Sequence, residues 1–219
     1  MTDQTFPTRY RIIFSKTEAM RFTGNLDLHR TLERSMRRGN LPLAYSQGFN
    51  PRPKLTLASA LPLGYTSDYE AADFWLNEER TLGDVRQALE GAFPPGIKLA
   101  SLEAVELTAA KLQVAIKHSS FVITLLEKAE DLEAKVARLL EAKEIRIEKT
   151  RKGKKRVANL RDFIIAVEIL PEDETGLQRM AMTLTAGEGK TGRPDDVLLE
   201  LGIDPLEVRA HRVGMVFGE

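Results

Sequence analysis

Hydrophobic and polar positions alternate from Arg9 to Ser15, RYRIIFS, a period of two that predicts a strand. The period then lengthens. In GNLDLHRTLERSMRRGN, Leu28, Leu32 and Met36 recur every fourth residue, which predicts a helix with one buried stripe. Asn25 suits its N-cap, Asp27 its positive end, and two arginines precede the terminating Gly39. Further strands are expected at Leu43 to Ser46, Leu55 to Leu61 and Tyr69 to Leu76. TLGDVRQALEGAF is a second helix, capped by Thr81, with Leu82, Val85 and Leu89 facing inward until Pro94-Pro95-Gly96 stops it. IKLASLEAVEL returns as a strand.

The second half repeats that order. TAAKLQVAIKHSS is a short link into a strand, FVITLLE. AEDLEAKVARLLEAKE is a helix with Leu132, Val136, Leu139 and Leu140 on one face. Strands follow at Ile145 to Lys149, Phe163 to Leu170 and Met180 to Thr185, then a helix, RPDDVLLELG, and a last strand, VRAHRVGMVF. The repeated order predicts an α+β protein of two domains, residues 1–108 and 109–219. Each is a ferredoxin-like split βαβ with an extra strand, an antiparallel-rich sheet carrying its helices on one face.

Composition narrows the chemistry. The chain has 219 residues, 42% of them hydrophobic, and its 32 cations balance 32 anions, so any nucleic-acid signal must be a local patch. The absence of cysteine removes disulfides, iron–sulfur clusters, thiolate zinc and a cysteine nucleophile. His29, His118 and His211 are scattered without ligand spacing, so neither a metal nor a cofactor is expected. No apolar run approaches the length of a membrane span, which predicts a soluble, cytoplasmic protein.

Three segments carry candidate chemistry. Tyr45 to Leu55, YSQGFNPRPKL, holds two prolines, a Gly-Phe, an Asn-Pro and two cations. Proline fixes its own φ and pushes the preceding residue toward extended geometry, so Asn50-Pro51-Arg52-Pro53 is held nearly straight. One reading is a pre-ordered loop presenting Gln47, Asn50, Arg52 and Lys54. The other is a hairpin turn with solvated cations, and in either case Phe49 is expected to face the core. The second segment, KTRKGKKRVANLR, has seven basic residues in thirteen and no acidic one. It predicts a basic hairpin tip whose Lys152, Lys154, Lys155 and Arg156 suit phosphates. Arg30 and Arg34, with Arg37 or Arg38, give the first helix a basic flank of the same kind.

The third segment, GEGKTGRPDD, places Lys190 and Arg193 ahead of a helix start, where anions can bind. It is not a P-loop, because Leu184 stands where that pattern needs glycine. It reads chiefly as a strand-to-helix turn. No catalytic triad is ordered along the chain. Asp68, Glu70 and Asp73 read as solvent-facing or paired with cations, which leaves Asp27 as the candidate catalytic carboxylate.

LPLAYSQGFNPRPKLTLASALPLG and RFTGNLDLHRTLERSMRRGNLP together resemble the bacterial radical SAM-linked proteins, a domain of unknown function. The family's usual Ser-His-Leu-Asp is Gly24-Asn25-Leu26-Asp27 here, and its Pro-His-Pro is Pro51-Arg52-Pro53, which argues against histidine chemistry at either place. The resemblance implies a cobalamin-binding radical SAM enzyme as companion, fused or separate, in the company of ribosomal-protein and ribonuclease genes. With no cysteine to hold a cluster, this chain would serve a separate enzyme. The leading expectation is a non-catalytic accessory protein binding tRNA or rRNA, or presenting substrate. The alternatives are a pseudouridine-synthase-like enzyme using Asp27 beside Arg30 and Arg34, and a protein–protein module without nucleic acid.

Overall fold

The computed structural model describes residues 7–151, 154–187 and 189–218. They fall into two compact units, one running up to Ile116 and taking in Gly218, the other Lys117–Phe217. The link around residues 109–115 goes with the first unit because Arg9 holds it, as described below.

The first unit runs β1 (Thr8–Lys16), α1 (Asn25–Arg38), β2 (Leu55–Leu57), β3 (Thr66–Leu76), α2 (Leu82–Ala92), β4 (Ile97–Val105) and the single turn α3 (Leu112–Ala115). Its strand order is β4-β1-β3 with β2 also on β3, every pairing antiparallel, which is the ferredoxin-like βαββαβ arrangement. The alternation of β1 sends Tyr10, Ile12 and Phe14 to the helix side, against Leu28, Leu32 and Met36 of α1 and Val85 and Leu89 of α2. Tyr10 stacks on Phe74 with ring centroids 5.5 Å apart, and its hydroxyl donates to the Arg80 carbonyl at 2.7 Å. A buried tyrosine so satisfied adds apolar area without an orphan hydroxyl.

The second unit runs β5 (Ile116–Leu125, whose first residue closes the first unit), α4 (Leu132–Glu141), β6 (Arg146–Arg151), β7 (Lys154–Asn159), β8 (Ile164–Leu170), β9 (Arg179–Thr185), α5 (Pro194–Glu200) and β10 (Val208–Phe217). Its order β10-β5-β9-β8 repeats that of the first unit, with β6 and β7 inserted as a two-stranded antiparallel sheet of their own. Both halves are therefore α+β and ferredoxin-like, as the element order predicts.

Four local expectations need correction. Leu43 to Ser46 is not a strand: Leu43 bridges Leu76 and Tyr45 bridges Pro53, each in isolation. Prolines at 42, 51 and 53 cannot donate to a ladder, so the pairing stops there. The expected extra strand of the first half thus becomes the base of a loop. Leu82 is exposed, because the first turn of α2 points it away from the stripe of Val85 and Leu89, although Thr81 does cap the helix by accepting from the Asp84 N–H at 3.1 Å. The N-cap of α1 is Gly24, whose carbonyl accepts from the Leu28 N–H at 2.8 Å, while Asn25 takes the first helical position. In α4, Leu132, Val136 and Leu139 are buried and Leu140 is half-buried.

Gly39 closes α1 for a steric reason. A Cβ there would lie 2.6 Å from the carbonyl oxygen of Ala88 on α2, so the two helices approach only because the side chain is missing. Gly39→Ala is expected to destabilise the protein by about 1–3 kcal/mol through overpacking. An unchanged urea midpoint would show that the helices can part without loss.

Candidate functional site

The face of α1 turned away from the core is built by the same periodicity that buries its stripe. With Leu28, Leu32 and Met36 inside, Leu26, Arg30, Arg34 and Arg37 are exposed outside, with Glu33 partly so. Arg38 departs from this row and reaches the carbonyl of Ala92, the last residue of α2, at 3.4 Å. Arg30 meets the exposed Asp27 at 3.2 Å and Arg37 meets the half-buried Glu33 at 2.8 Å, both within the helix. Such pairs are weak, so a phosphate can take these guanidinium groups from their carboxylates. Asp27 is itself an exposed first-turn residue, in contact with water and Arg30 rather than enclosed as a nucleophile.

The loop from Tyr45 to Lys54 is ordered by its own backbone. Lys54 N–H donates to the Ala44 carbonyl at 2.7 Å and Ser46 N–H to the Arg52 carbonyl at 2.8 Å. The Arg52 N–H returns to the Ser46 hydroxyl at 3.1 Å. Pro53 is buried at the base, and Gly48, at φ +139°, allows the turn that precedes Phe49. Gln47, Phe49, Asn50, Arg52 and Lys54 are all exposed. The expectation that Phe49 faces the core is wrong: its ring is fully exposed. Leu55 and Leu57 on the strand that follows fill the core positions, so the aromatic is left at the tip.

Loop and helix adjoin. His29 of α1 sits 3.1 Å from the Leu55 carbonyl, and the Arg37 guanidinium lies 5.8 Å from the centre of the Tyr45 ring. At the other end of α1, Phe22 is 76%, Leu26 73% and Leu63 64% exposed. The two loops bearing Phe22 and Leu63 are stapled by Arg21, whose Nε donates to the Gly64 carbonyl at 2.7 Å and whose carbonyl accepts from the Gly64 N–H at 3.2 Å. Beneath them the buried Lys16 donates to the carbonyls of Arg21 at 3.0 Å and Tyr65 at 2.8 Å. A long, pre-ordered surface results, aromatic at both ends and cationic between.

A second cluster was not legible in the sequence. Asp73 on β3 is fully buried and accepts from Arg9 Nε at 3.0 Å and Arg11 Nε at 2.8 Å. Arg9 also donates to the carbonyls of Ala109 at 2.8 Å and Ala110 at 2.9 Å, and lies 5.4 Å from the Trp75 ring centre. The Asp73 hydrogen bond, helped by its charge, holds the Arg11 guanidinium above its already high value against the opposing effect of burial. Every face of Arg9 is engaged within the protein, so the triad fixes the link after β4 across β1. Of the three carboxylates read as solvent-facing or paired with cations, Asp68 is exposed, Asp73 is paired with Arg9 and Arg11, and Glu70 is buried.

Among the basic-hairpin candidates, Lys152 lies outside the described residues. Lys154, Lys155 and Arg156 lie on the described backbone of β7, where Lys154 pairs with Arg151 and Arg156 with Lys149, but their side chains are outside the description. Lys190 and Arg193 are exposed in the second unit. Their segment is a turn tied by Gly192 N–H to the Thr185 carbonyl at 2.9 Å, and Asp195 and Asp196 occupy the first turn of α5, where an anion would otherwise sit. Among the described residues no three of His, Cys, Asp and Glu gather to hold a metal, and no helix is long and apolar enough to cross a membrane.

Fold and surface together define an α+β protein made of two ferredoxin-like halves. It belongs to the bacterial family described as "Uncharacterized protein conserved in bacteria (DUF2344)", which matches residues 9–194. A search of the curated proteins found no match. Among solved structures, a chain in a crystal structure of a Cbf5–Nop10–Gar1 complex is similar at 10% identity and a TM-score of 0.47, over 94% of this chain. This chain spans about half, 48%, of that one.

Proposed function

We propose that this protein is a non-catalytic RNA-binding accessory protein whose first unit holds RNA on the face formed by α1 and the Tyr45–Lys54 loop. One observation carries the reading: a loop closed by its own hydrogen bonds displays a fully exposed phenylalanine between cations, beside a helix face bearing Arg30, Arg34 and Arg37. An exposed ring gains nothing from water, and its rigid mounting removes the ordering cost that a flexible loop would meet on binding. Arginines supply phosphate affinity through counterion release. The basic β6–β7 hairpin, with Lys152, Lys154, Lys155 and Arg156, offers a further phosphate contact in the second unit. Lys190 and Arg193 are weaker candidates because of the acidic turn beside them.

The partner enzyme in this reading is a separate radical SAM protein. It comes from the sequence resemblance alone, since the family's description names no partner. A cytoplasmic location goes with the same reading. Catalysis by Asp27 is the less favoured alternative, because an open first-turn carboxylate paired to Arg30 has no enclosure to tune it. Docking of Phe49 and Arg52 on a protein is the other, these being residue types suited to the centre of an interface.

Binding to bulk bacterial tRNA and rRNA, measured across a salt series, tests the proposal. One four-alanine variant removes Arg30, Arg34, Arg52 and Lys54, and another removes Lys152, Lys154, Lys155 and Arg156. Loss of most affinity in the first is the expected result. Wild-type binding in both variants would refute it, and no RNA binding by the wild type would favour the protein-docking alternative.

A further inference from the structure

We infer that the RNA held on this face is a single strand lying along α1, with its bases stacked on Phe22 at one end of the helix and Phe49 at the other. The inference rests on the RNA-binding reading above and adds the form, path and footprint of the ligand.

The two exposed rings sit on loops that flank α1. Phe22 lies two residues before the N-cap of α1, and the Arg21 guanidinium sits 5.4 Å from its ring centre. The base of the Phe49 loop meets the C-terminal end of the helix, where the Arg37 guanidinium lies against the Tyr45 ring, and it is closed by the Lys54 N–H on the Ala44 carbonyl. Between the rings run Arg30, Arg34 and Arg37, on one exposed side. Duplex RNA offers phosphates but keeps its base faces stacked within the helix, so two outward rings would find nothing to pair with. An unpaired strand offers both phosphates and free base faces, and aromatic posts beside a cationic track are how single strands are held.

Length follows from the same geometry. Fourteen residues of α1 at 1.5 Å each span about 21 Å. A stacked strand advances about 3.4 Å per nucleotide, so a strand running the length of α1 takes roughly six nucleotides. Base identity is not read by any of these contacts, since every base has a face to stack and every nucleotide a phosphate. The expected ligand is an unpaired loop, tail or junction strand of little sequence preference.

Fluorescence anisotropy with labelled, unstructured oligoribonucleotides of about three, six, nine and twelve residues, beside a duplex of the longest, tests this at low salt. Affinity should climb to about six nucleotides and then flatten, and the single strand should bind more tightly than the duplex. Phe22→Ala and Phe49→Ala should each weaken single-strand binding by about five- to a hundred-fold, the range for loss of one stacked base. They should leave duplex binding and the melting temperature alone, because both rings are exposed. If the duplex binds as well as the strand and both phenylalanine variants match the wild type, the stacking inference fails while the phosphate-binding reading stands. If neither form binds at low salt, both fail and the rings are left to a protein partner.

Discussion

Asp73→Ala should cost about 3–5 kcal/mol of folding stability, a large part of the 5–15 kcal/mol that holds an ordinary domain. The carboxylate serves two guanidinium groups at once, Arg9 Nε at 3.0 Å and Arg11 Nε at 2.8 Å, and both it and Arg9 are almost wholly removed from water. Truncation leaves Arg9 buried with its charge uncompensated, and that penalty exceeds the modest net worth of the intact ion pair. The damage should spread to the link after β4, because Arg9 also carries the Ala109 and Ala110 carbonyls. Amide exchange near Leu112 should quicken along with the fall in the urea midpoint. A sharper comparison replaces all three members by apolar residues of similar volume, which should cost less than Asp73→Ala alone. A loss under about 1 kcal/mol for the single variant would mean that water reaches Arg9 and that the cluster is a surface pair in energetic terms.

RNA affinity should fall about a hundredfold between 50 and 200 mM salt. Five cations face the proposed ligand, namely Arg30, Arg34, Arg37, Arg52 and Lys54, all exposed. A single strand releases about 0.7 counterion per phosphate neutralised, so five contacts across a fourfold change in salt amount to roughly two decades. Removing four of the five should flatten the dependence to about 0.7 log unit per log of salt, as well as lowering affinity. The slope is the informative quantity, because a misfolded variant loses binding at every salt concentration without a defined slope. A salt-independent affinity in the wild type would exclude phosphate contact as its source.

What was legible in the sequence was whatever local period decides. Leu28, Leu32 and Met36 mark the buried face of α1 outright, and by subtraction they place Arg30, Arg34 and Arg37 outside. Thr81 reads as a cap because capping is a local contact, here from its hydroxyl to the Asp84 N–H, made by a few residue types. The repeated order of strands and helices carries the ferredoxin-like halves for the same reason. Phe49 misleads because burial of apolar residues is a one-way rule: a phenylalanine can be left outside when the neighbouring Leu55 and Leu57 already fill the core. The pairing of Asp73 with cations is one of the two sequence readings, but its burial is not foreseen, because the segment covering that face of the sheet comes from far along the chain. No window of the sequence contains both Arg9 and Ala109. The surface of α1 was half visible: its cations follow from the helix, but the adjacency of the Phe49 loop needs the bond from His29 to Leu55.

The place of β1 between β4 and β3 has a consequence in time. It is made first, yet its partners β3 and β4 are made last in the unit, at Thr66–Leu76 and Ile97–Val105. At synthesis rates of about 5–20 residues per second, its two edges wait unpaired for several seconds. During that interval Tyr10, Ile12, Ile13 and Phe14 form the kind of apolar, strand-prone run that aggregates. Arg9, Arg11 and Lys16 interrupt and flank it with positive charge. The side chains that later close over Asp73 and the loop carbonyls therefore serve the nascent chain first, as gatekeepers that keep an orphan strand in solution until its neighbours arrive.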